Sequence, residues 1–411
     1  MIKEKILIYG MGVTGKAVKN FCSHKKIPYE LYDDTKNEVD FKEILKDIST
    51  VVLSPGIKKT NLNIQIALKK KIEVISEIEF AAKFTKKPII AITGTNGKTT
   101  TTLLTSEILK NYGLKVFIGG NIGTPFIEGI LMQENYDIFL LECSSFQLQF
   151  IDKEFSPRVS VITNLSPNHL DHHKDLNEYY ESKFNIFKNQ KKNDFLILKK
   201  NIELNSLKTI PRKIFLRIPR KKNYIEVHGL KVLLKNLKIV GSHNIENLLF
   251  ALEIANIFVN LDKNILEKIY QFQPPSFRLQ KILGKPKIFN DSKSTSPDAT
   301  INAIESFNSK IYLLMGGKDK NLDYTAVKKI LAKKVRKVFL FGENKFLLAQ
   351  FFSSKNCIIC KDMEDTIIQL KKIVKKTDTI VFSPGSSSFD TYTSYIERGE
   401  KFNQYVNKFF K

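Results

Sequence analysis

Short apolar runs recur along the chain, each ending in glycine or an acidic residue, and between them lie longer stretches in which apolar residues return every three or four positions. The first pattern predicts buried strands and the second predicts helices, and their regular alternation is the pattern of parallel α/β sheets. KILIYG (5–10), YELYDD (29–34) and TVVLSPG (50–56) form a first block. PIIAITG (88–94), KVFIGGN (115–121), DIFLLECSS (137–145) and VSVITNLSP (159–167) form a second, with a helix expected over 176–187. SHNIENLLFALEIANIF predicts a further helix with Ile245, Leu248, Leu249, Leu252 and Ala255 on one face. KIFNDS (287–292), KIYLLMGG (310–317), KVFLFGE (337–343) and TIVFSPGSSS (379–388) make a third block. The lysine-rich FTKKP (84–88) and the proline-containing QFQPPS (271–276) separate the blocks, so the expected domains are 1–87, 88–274 and 275–411.

Length agrees with that division, since 411 residues exceed what one hydrophobic core usually serves. MIKEKILIYGMGVTG reads as a strand running into glycines rather than a signal peptide, and no long uncharged apolar run follows it. A soluble cytoplasmic protein without a membrane span is therefore expected. Four cysteines are too few for a disulfide scaffold in such a chain. Cys357 and Cys360 make a C-x-x-C, but no second pair or nearby histidine completes a zinc site, so they read as strand or loop residues. The net charge of +24 would suit a nucleic-acid partner, yet lysines occur throughout the sequence and no nucleic-acid-binding motif accompanies them. A solvated surface, attractive to anionic substrates, is the expectation.

Two glycine turns carry the candidate chemistry. GMGVTG (10–15) fits G-x-G-x-x-G after a strand, with Asp33 and Asp34 about twenty residues on, where an acid meets a ribose. Taken alone it indicates an NAD-dependent dehydrogenase, or a site for another diphosphate at a helix N-terminus. ITGTNGKTT (92–100) is a phosphate loop with only Thr95 and Asn96 between Gly94 and Gly97, instead of the usual four residues. Amides of residues 94–99 would wrap a triphosphate, Lys98 would reach its outer phosphates, and Thr99 would offer a hydroxyl to Mg²⁺.

Glu142 ends the strand of LLECSSFQ, where a carboxylate meets a magnesium ion. HLDHH (169–173) invites a zinc reading, but a second ligand cluster is missing, so His169 is favoured as a magnesium ligand or substrate contact. Lys183 in EYYESKFNIF reads by itself as a surface lysine.

ITGTNGKTT, GGNIG, LLECSSFQL, NLSPNHLDHH, GSHNIEN, FNDSKST and SPGSSSFD follow one another in the order found in the Mur ligases, and the chain resembles that family over essentially its whole length. The resemblance implies three α/β domains: Rossmann-like, central P-loop ATPase-like and C-terminal Rossmann-like. It also implies ATP-dependent amide synthesis on peptidoglycan precursors. GMGVTG, the block spacing and SPGSSSFDTYTSYIERG look most like the branch that adds D-glutamate to UDP-N-acetylmuramoyl-L-alanine. The first glycine turn then becomes a UDP site, with Val13, Thr14, Asp33, Asp34 and Gly56 holding the uridine diphosphate, and Asn121, Ser144 and His169 contacting the rest of that substrate.

On the same grounds Gly94, Thr95, Asn96, Gly97, Lys98, Thr99, Thr100, Asn244, Asn247, Arg278 and Asp291 match ATP contacts. Thr99, Glu142, His169 and Lys183 match the site of two magnesium ions. Lys183 corresponds to a lysine that the family carbamylates, identified here by Tyr179-x-x-x-Lys183. Lys98, Glu142, His169 and Lys183 are accordingly the implied catalytic set. Lys293, Thr295, Lys320, Ser388, Phe389 and Tyr395 match the D-glutamate pocket, with Phe389 and Tyr395 standing where the family often has Leu and Phe. A monomer acting on small molecules, without nucleic acid, is the implied assembly.

Overall fold

A computed structural model describes residues 5–34, 40–168, 172–202, 211–216, 223–239, 241–319, 322–352 and 356–410. Its strands form three principal sheets and one hairpin.

The N-terminal sheet is parallel, in the spatial order β2 (Tyr29–Tyr32), β1 (Lys5–Tyr9), β3 (Ile48–Leu53), β4 (Glu73–Ser76). Side chains alternate across β1 as a period of two requires. Leu7 and Tyr9 join Val51, Leu53, Phe41 and Ile64 on one face, whereas Ile6 and Ile8 join Ala17, Val18 and Phe21 on the other. Such two-faced burial explains why β1 reads as a continuous apolar run.

The central sheet runs β10 (Arg212–Leu216), β9 (Phe195–Lys199), β8 (Val159–Ile162), β5 (Ile89–Thr93), β7 (Ile138–Glu142), β6 (Val116–Gly120), with all pairings parallel. β11 (Tyr224–Val227) and β12 (Leu230–Leu233) pair as an antiparallel hairpin. The core shared by the first two sheets passes from Ile6 and Phe21 through Ile78 and Phe80 to Phe126 and Phe139. Residues 1–235 and 247–269 consequently form one compact unit. The FTKKP segment is tied into it, because the Lys87 ammonium donates to the carbonyls of Gln133 and Tyr136 at 2.5 and 2.6 Å.

Residues 236–246 and 270–411 make the second unit. Its sheet runs β13 (Gln280–Gly284), β14 (Lys287–Asn290), β18 (Thr379–Phe382), β15 (Ile311–Gly316), β16 (Val335–Phe341), β17 (Cys357–Ile359). Only β13 is antiparallel, to β14. Leu313, Met315, Val338, Leu340 and Val381 face one apolar cluster, and Leu314, Phe339, Phe341, Ile380 and Phe382 the other.

Every strand expected from the apolar runs forms. β4, β9, β10, β13 and the hairpin were not expected; β10 is largely exposed and contains two basic residues, so it lacks a buried strand's composition. The helix expected over 176–187 ends at Phe184 and continues as one 3₁₀ turn over Asn185–Phe187. Ser242–Asn256 is helical as expected, but Phe250, Ala251 and Ile254 are buried along with Leu248, Leu249, Leu252 and Ala255, a wider buried arc than one face.

Candidate active site

β5 lies between β7 and β8, where the chain's path across the sheet reverses, and open parallel sheets bind ligands beyond their carboxyl ends at such a point. The loop after β5 leads into the helix Lys98–Asn111, whose N-cap is Gly97, without a side-chain hydrogen bond at the cap. First-turn amides of a helix attract an anion. Gly97 adopts φ +86°, and a Cβ there would lie 2.3 Å from Asn247 Oδ1, so glycine is required both by conformation and by the close neighbour.

The end of β8 clamps this loop. Thr95 N–H donates to the Asn164 carbonyl at 2.9 Å, and the Asn164 side chain accepts from Asn96 N–H and donates to the Asn96 carbonyl, both at 2.9 Å. Thr163 Oγ1 donates to the same carbonyl at 2.6 Å. Thr95 Oγ1 donates to the Ser166 carbonyl and accepts from Ser166 N–H, each at 3.0 Å. Thr163 and Asn164 were not singled out from the sequence, although both lie in VSVITNLSP; nothing local marks an asparagine as the partner of a loop 68 residues away.

Charge gathers beside the clamp. Glu142, the last residue of β7, is 2% exposed. Its two oxygens accept from the Thr99 hydroxyl at 2.6 Å and the Asn121 amide at 2.7 Å. The Asn121 N–H also donates to the Glu142 carbonyl at 2.7 Å. Lys98 Nζ donates to the Gly94 and Thr95 carbonyls at 2.9 and 3.0 Å, and Lys183 Nζ reaches the same Gly94 carbonyl at 3.0 Å.

Lys183 is not the surface lysine its local sequence indicates: it is 2% exposed and sits 4.6 Å from the Tyr179 ring centroid. Burial, and then the nearby Lys98 ammonium, push its pKa well below the usual lysine range, against the opposing pull of Glu142. Thr99 and Glu142 are hard oxygen donors, which suits Mg²⁺, an ion that takes few protein ligands beside phosphate and water. Among the described residues no three His, Cys, Asp or Glu side chains cluster as a metal cage. His169 lies outside the described residues. Of its neighbours, His173 Nε2 meets Ser145 Oγ at 3.0 Å, and the His172 ring packs 4.2 Å from that of Phe146. Ser144 caps the helix Ser145–Leu148 through a capping box with Gln147.

The first glycine turn opens the helix Val13–Lys25 beyond β1. Asp33 accepts from Met11 N–H at 2.9 Å, and the Ser54 hydroxyl donates to the Gly10 carbonyl at 2.8 Å. Asp34 receives the Tyr9 hydroxyl at 2.7 Å and the Asn63 amide at 3.1 Å. The structure thus gathers the glycine turn, both aspartates and the segment leading to Gly56 at the carboxyl ends of β1, β2 and β3. Val13 is exposed and Thr14 half-buried.

In the second unit Asp291 follows β14 and is buried. It accepts from Leu279 N–H at 3.1 Å, from the Ser383 hydroxyl at 2.9 Å and from the Ser294 hydroxyl. Burial raises its pKa to about 6, with these donors and Arg278 opposing the rise. Burial, then the Arg278 charge, lowers His243 to about 4, leaving it neutral near pH 7. Lys293 Nζ lies 4.0 Å from the Tyr395 ring centroid; Thr295 is half-buried, Ser388 buried and Phe389 exposed. Lys320 lies outside the described residues.

Arg398, which its local sequence does not single out, is fully buried. It donates to the Ser386 and Ser387 carbonyls at 3.0 and 3.1 Å, and to the Ser292 carbonyl and hydroxyl at 2.8 and 3.1 Å. The loops after β14 and β18 are thereby joined. An arginine inside YIERG on an amphipathic helix reads as a solvated charge, so local pattern hides this role.

Comparison with known proteins agrees with the geometry. Residues 92–255 match the Mur ligase middle domain, and residues 277–385 match the Mur ligase, glutamate ligase domain. The UDP-N-acetylmuramoylalanine--D-glutamate ligase of Aquifex aeolicus is 36% identical over 414 residues, covering 99% of each chain. The protein of the same name from Hydrogenobaculum is 36% identical over 416 residues, covering 98% of this chain and 99% of its own. In fold, the chain resembles the MurF ligase of Thermotoga maritima crystallised with ADP (TM-score 0.65, 18% identity, 99% and 96% covered). It likewise resembles a pseudomurein peptide ligase type C of Methanothermus fervidus (TM-score 0.61, 20% identity, 99% and 100% covered). A shortened phosphate loop set against a strand-end glutamate and a buried lysine, in a chain alike over its whole length to such relatives, has one consistent explanation: this chain belongs to the Mur ligase family.

Proposed function

We propose that the chain is an ATP-dependent ligase that adds D-glutamate to UDP-N-acetylmuramoyl-L-alanine, supplying a peptidoglycan precursor in the cytoplasm. The observation that carries this reading is the whole-length 36% identity to relatives bearing that activity in their names. The loop, carboxylate and lysine cluster supports it chemically. Among the described residues no helix is long and apolar enough to cross a membrane.

In this mechanism the alanyl carboxylate attacks the γ-phosphorus of ATP and ADP leaves. The D-glutamate amine then attacks the carbonyl carbon of the resulting acyl phosphate, and inorganic phosphate departs with the C–O bond electrons and takes up the proton lost by the nitrogen as the amide forms. Both steps bring anions together, so the protein's task is positioning and charge neutralisation. The amides of residues 94–99 cradle the triphosphate, and Lys98 swings from its own loop carbonyls to the outer phosphates. Thr99, Glu142 and His169 would hold Mg²⁺, with Lys183 as a carbamate completing a two-ion site; bound there, the metal neutralises phosphate charge. Burial lowers the pKa of Lys183 and so favours the neutral amine, the form that takes up CO₂. Asn244, Asn247, Arg278 and Asp291 complete the proposed nucleotide contacts. Val13, Thr14, Asp33, Asp34, Gly56, Asn121 and Ser144 are assigned to the UDP substrate. Lys293, Thr295, Lys320, Ser388, Phe389 and Tyr395 are assigned to D-glutamate. The proposed domain boundaries are 87/88 and 274/275.

The test is phosphate release by the purified protein with ATP, Mg²⁺ and UDP-N-acetylmuramoyl-L-alanine, comparing D-glutamate with L-alanine, L-lysine and diaminopimelate. Turnover confined to D-glutamate is expected. No turnover with any acceptor, together with binding of a reduced nicotinamide dinucleotide, would favour the dehydrogenase reading of the first glycine turn.

A further inference from the structure

Three loops at the carboxyl end of the second unit's sheet converge on one neutral side chain, that of Asn344. It lies just past β16 and is 3% exposed. Its Oδ1 accepts from Gly317 N–H at 3.0 Å, and its own N–H donates to the Gly317 carbonyl at 3.0 Å. Its Nδ2 donates to the Ser386 hydroxyl at 2.8 Å. Tyr324, fully buried, braces the same point: its hydroxyl donates to the Gly385 carbonyl at 3.1 Å and lies 2.9 Å from Ser386 Oγ.

The loop after β15 and the loop after β18 also meet directly. Lys318 N–H donates to the Ser387 carbonyl at 2.9 Å. Gly317 sits at φ +148°, and a Cβ there would stand 2.1 Å from the Ser387 carbonyl oxygen. Backbone therefore lies against backbone at this junction, and the asparagine supplies an acceptor on one side and a donor on the other. An ammonium or a hydrocarbon in its place would leave the buried Gly317 N–H without an acceptor, and a carboxylate would bury a charge.

We propose that Asn344 is a positioning residue for the acceptor amino acid. It holds the Gly385–Ser388 turn against the Gly317–Lys318 turn. Asn344 does not itself touch the substrate; it fixes the turn that carries Ser388. The inference rests on the reading of Ser388 as a D-glutamate residue. A site spanning two loops loses affinity when their spacing relaxes, because the ligand must then order them. Loss should fall on the amino-acid substrate and spare the nucleotides.

The experiment is steady-state kinetics of the full chain carrying Asn344→Ala and, separately, Ser386→Ala, each substrate being varied in turn. For Asn344→Ala the KM for D-glutamate is expected to rise about tenfold while kcat and the KM values for ATP and UDP-N-acetylmuramoyl-L-alanine stay within about twofold. Ser386→Ala removes the acceptor from the opposite loop and is expected to shift the same KM by less; it carries the test if Asn344→Ala does not fold. An unchanged KM for D-glutamate in the folded variant, or an equal change for all three substrates, overturns the proposal. If the unmodified protein does not use D-glutamate, the functional reading fails first, and the two failures are thus distinct.

Discussion

The chain contains two glycine turns, each placed after the first strand of a parallel sheet and each opening a helix, yet the groups packed around them differ. Around the turn of residues 10–15 the structure sets two aspartates, one holding Met11 N–H and the other the Tyr9 hydroxyl. Around the loop of residues 94–97 it sets two lysines and one buried glutamate. Carboxylates beside a helix N-terminus suit a nucleoside whose ribose hydroxyls need acceptors. The Lys98 ammonium and a buried carboxylate proposed to hold Mg²⁺ suit a triphosphate that must lose a phosphoryl group. On the proposed function, glycine spacing marks where phosphate binds, and the groups packed around it decide whether it is merely held or also reacts.

The sharpest way to break this contrast is Lys98→Ala. It is expected to lower ATP-dependent phosphate release by about a thousandfold, with binding of the UDP precursor by calorimetry unchanged; retention of turnover would remove the loop from the chemistry. Lys183→Ala comes next, with a loss of about a hundredfold. Short carboxylic acids such as formate or acetate should restore part of the rate if the lost group is a carbamate. Failure of such rescue in a folded variant counts against the carbamate. On the opposite side, Asp34→Ala is expected to raise the KM for the UDP precursor about tenfold while leaving the KM for ATP within twofold; equal shifts would mean that the two turns do not bind separate ligands.

The smallest effect concerns Glu77, buried where the first two sheets share their core. Its carboxylate accepts from Ile127 N–H at 2.6 Å, and burial raises its pKa from 4.5 to about 7, with Glu128 adding to the rise. A raised folded-state pKa means that the folded form holds the proton more tightly than the unfolded chain. The associated stability is complete below about pH 4.5 and is lost as pH rises through about 7. Glu77→Gln keeps an acceptor for Ile127 and cannot ionise, so its melting temperature should gain on that of the parent by a few degrees between pH 5 and pH 8. A constant difference across that range would show that Glu77 does not titrate there.

Strands such as Ile89–Thr93 and Ile138–Glu142 were legible because both faces are buried, which forces an apolar run. Arg212–Leu216 was not, because an exposed edge strand owes its place to pairing with Phe195–Lys199 rather than to composition. Glu142 could be picked out as a strand-end acid beside a phosphate loop. Asn164, Arg398 and Asn344 could not, because their partners lie far along the chain and polar residues in loops are common.

The sequence by itself determined the strands read from its apolar runs, the two glycine turns and the resemblance that implies their ligands, all of which rest on local periodicity and short motifs. Only the tertiary structure decided that Lys183 is buried beside Lys98, that Asn164 clamps the phosphate loop, and that Asn344 joins two distant turns. The physical reason is that burial, pKa and hydrogen-bond satisfaction depend on which residues the fold brings into contact, and sequence spacing alone does not record those neighbours.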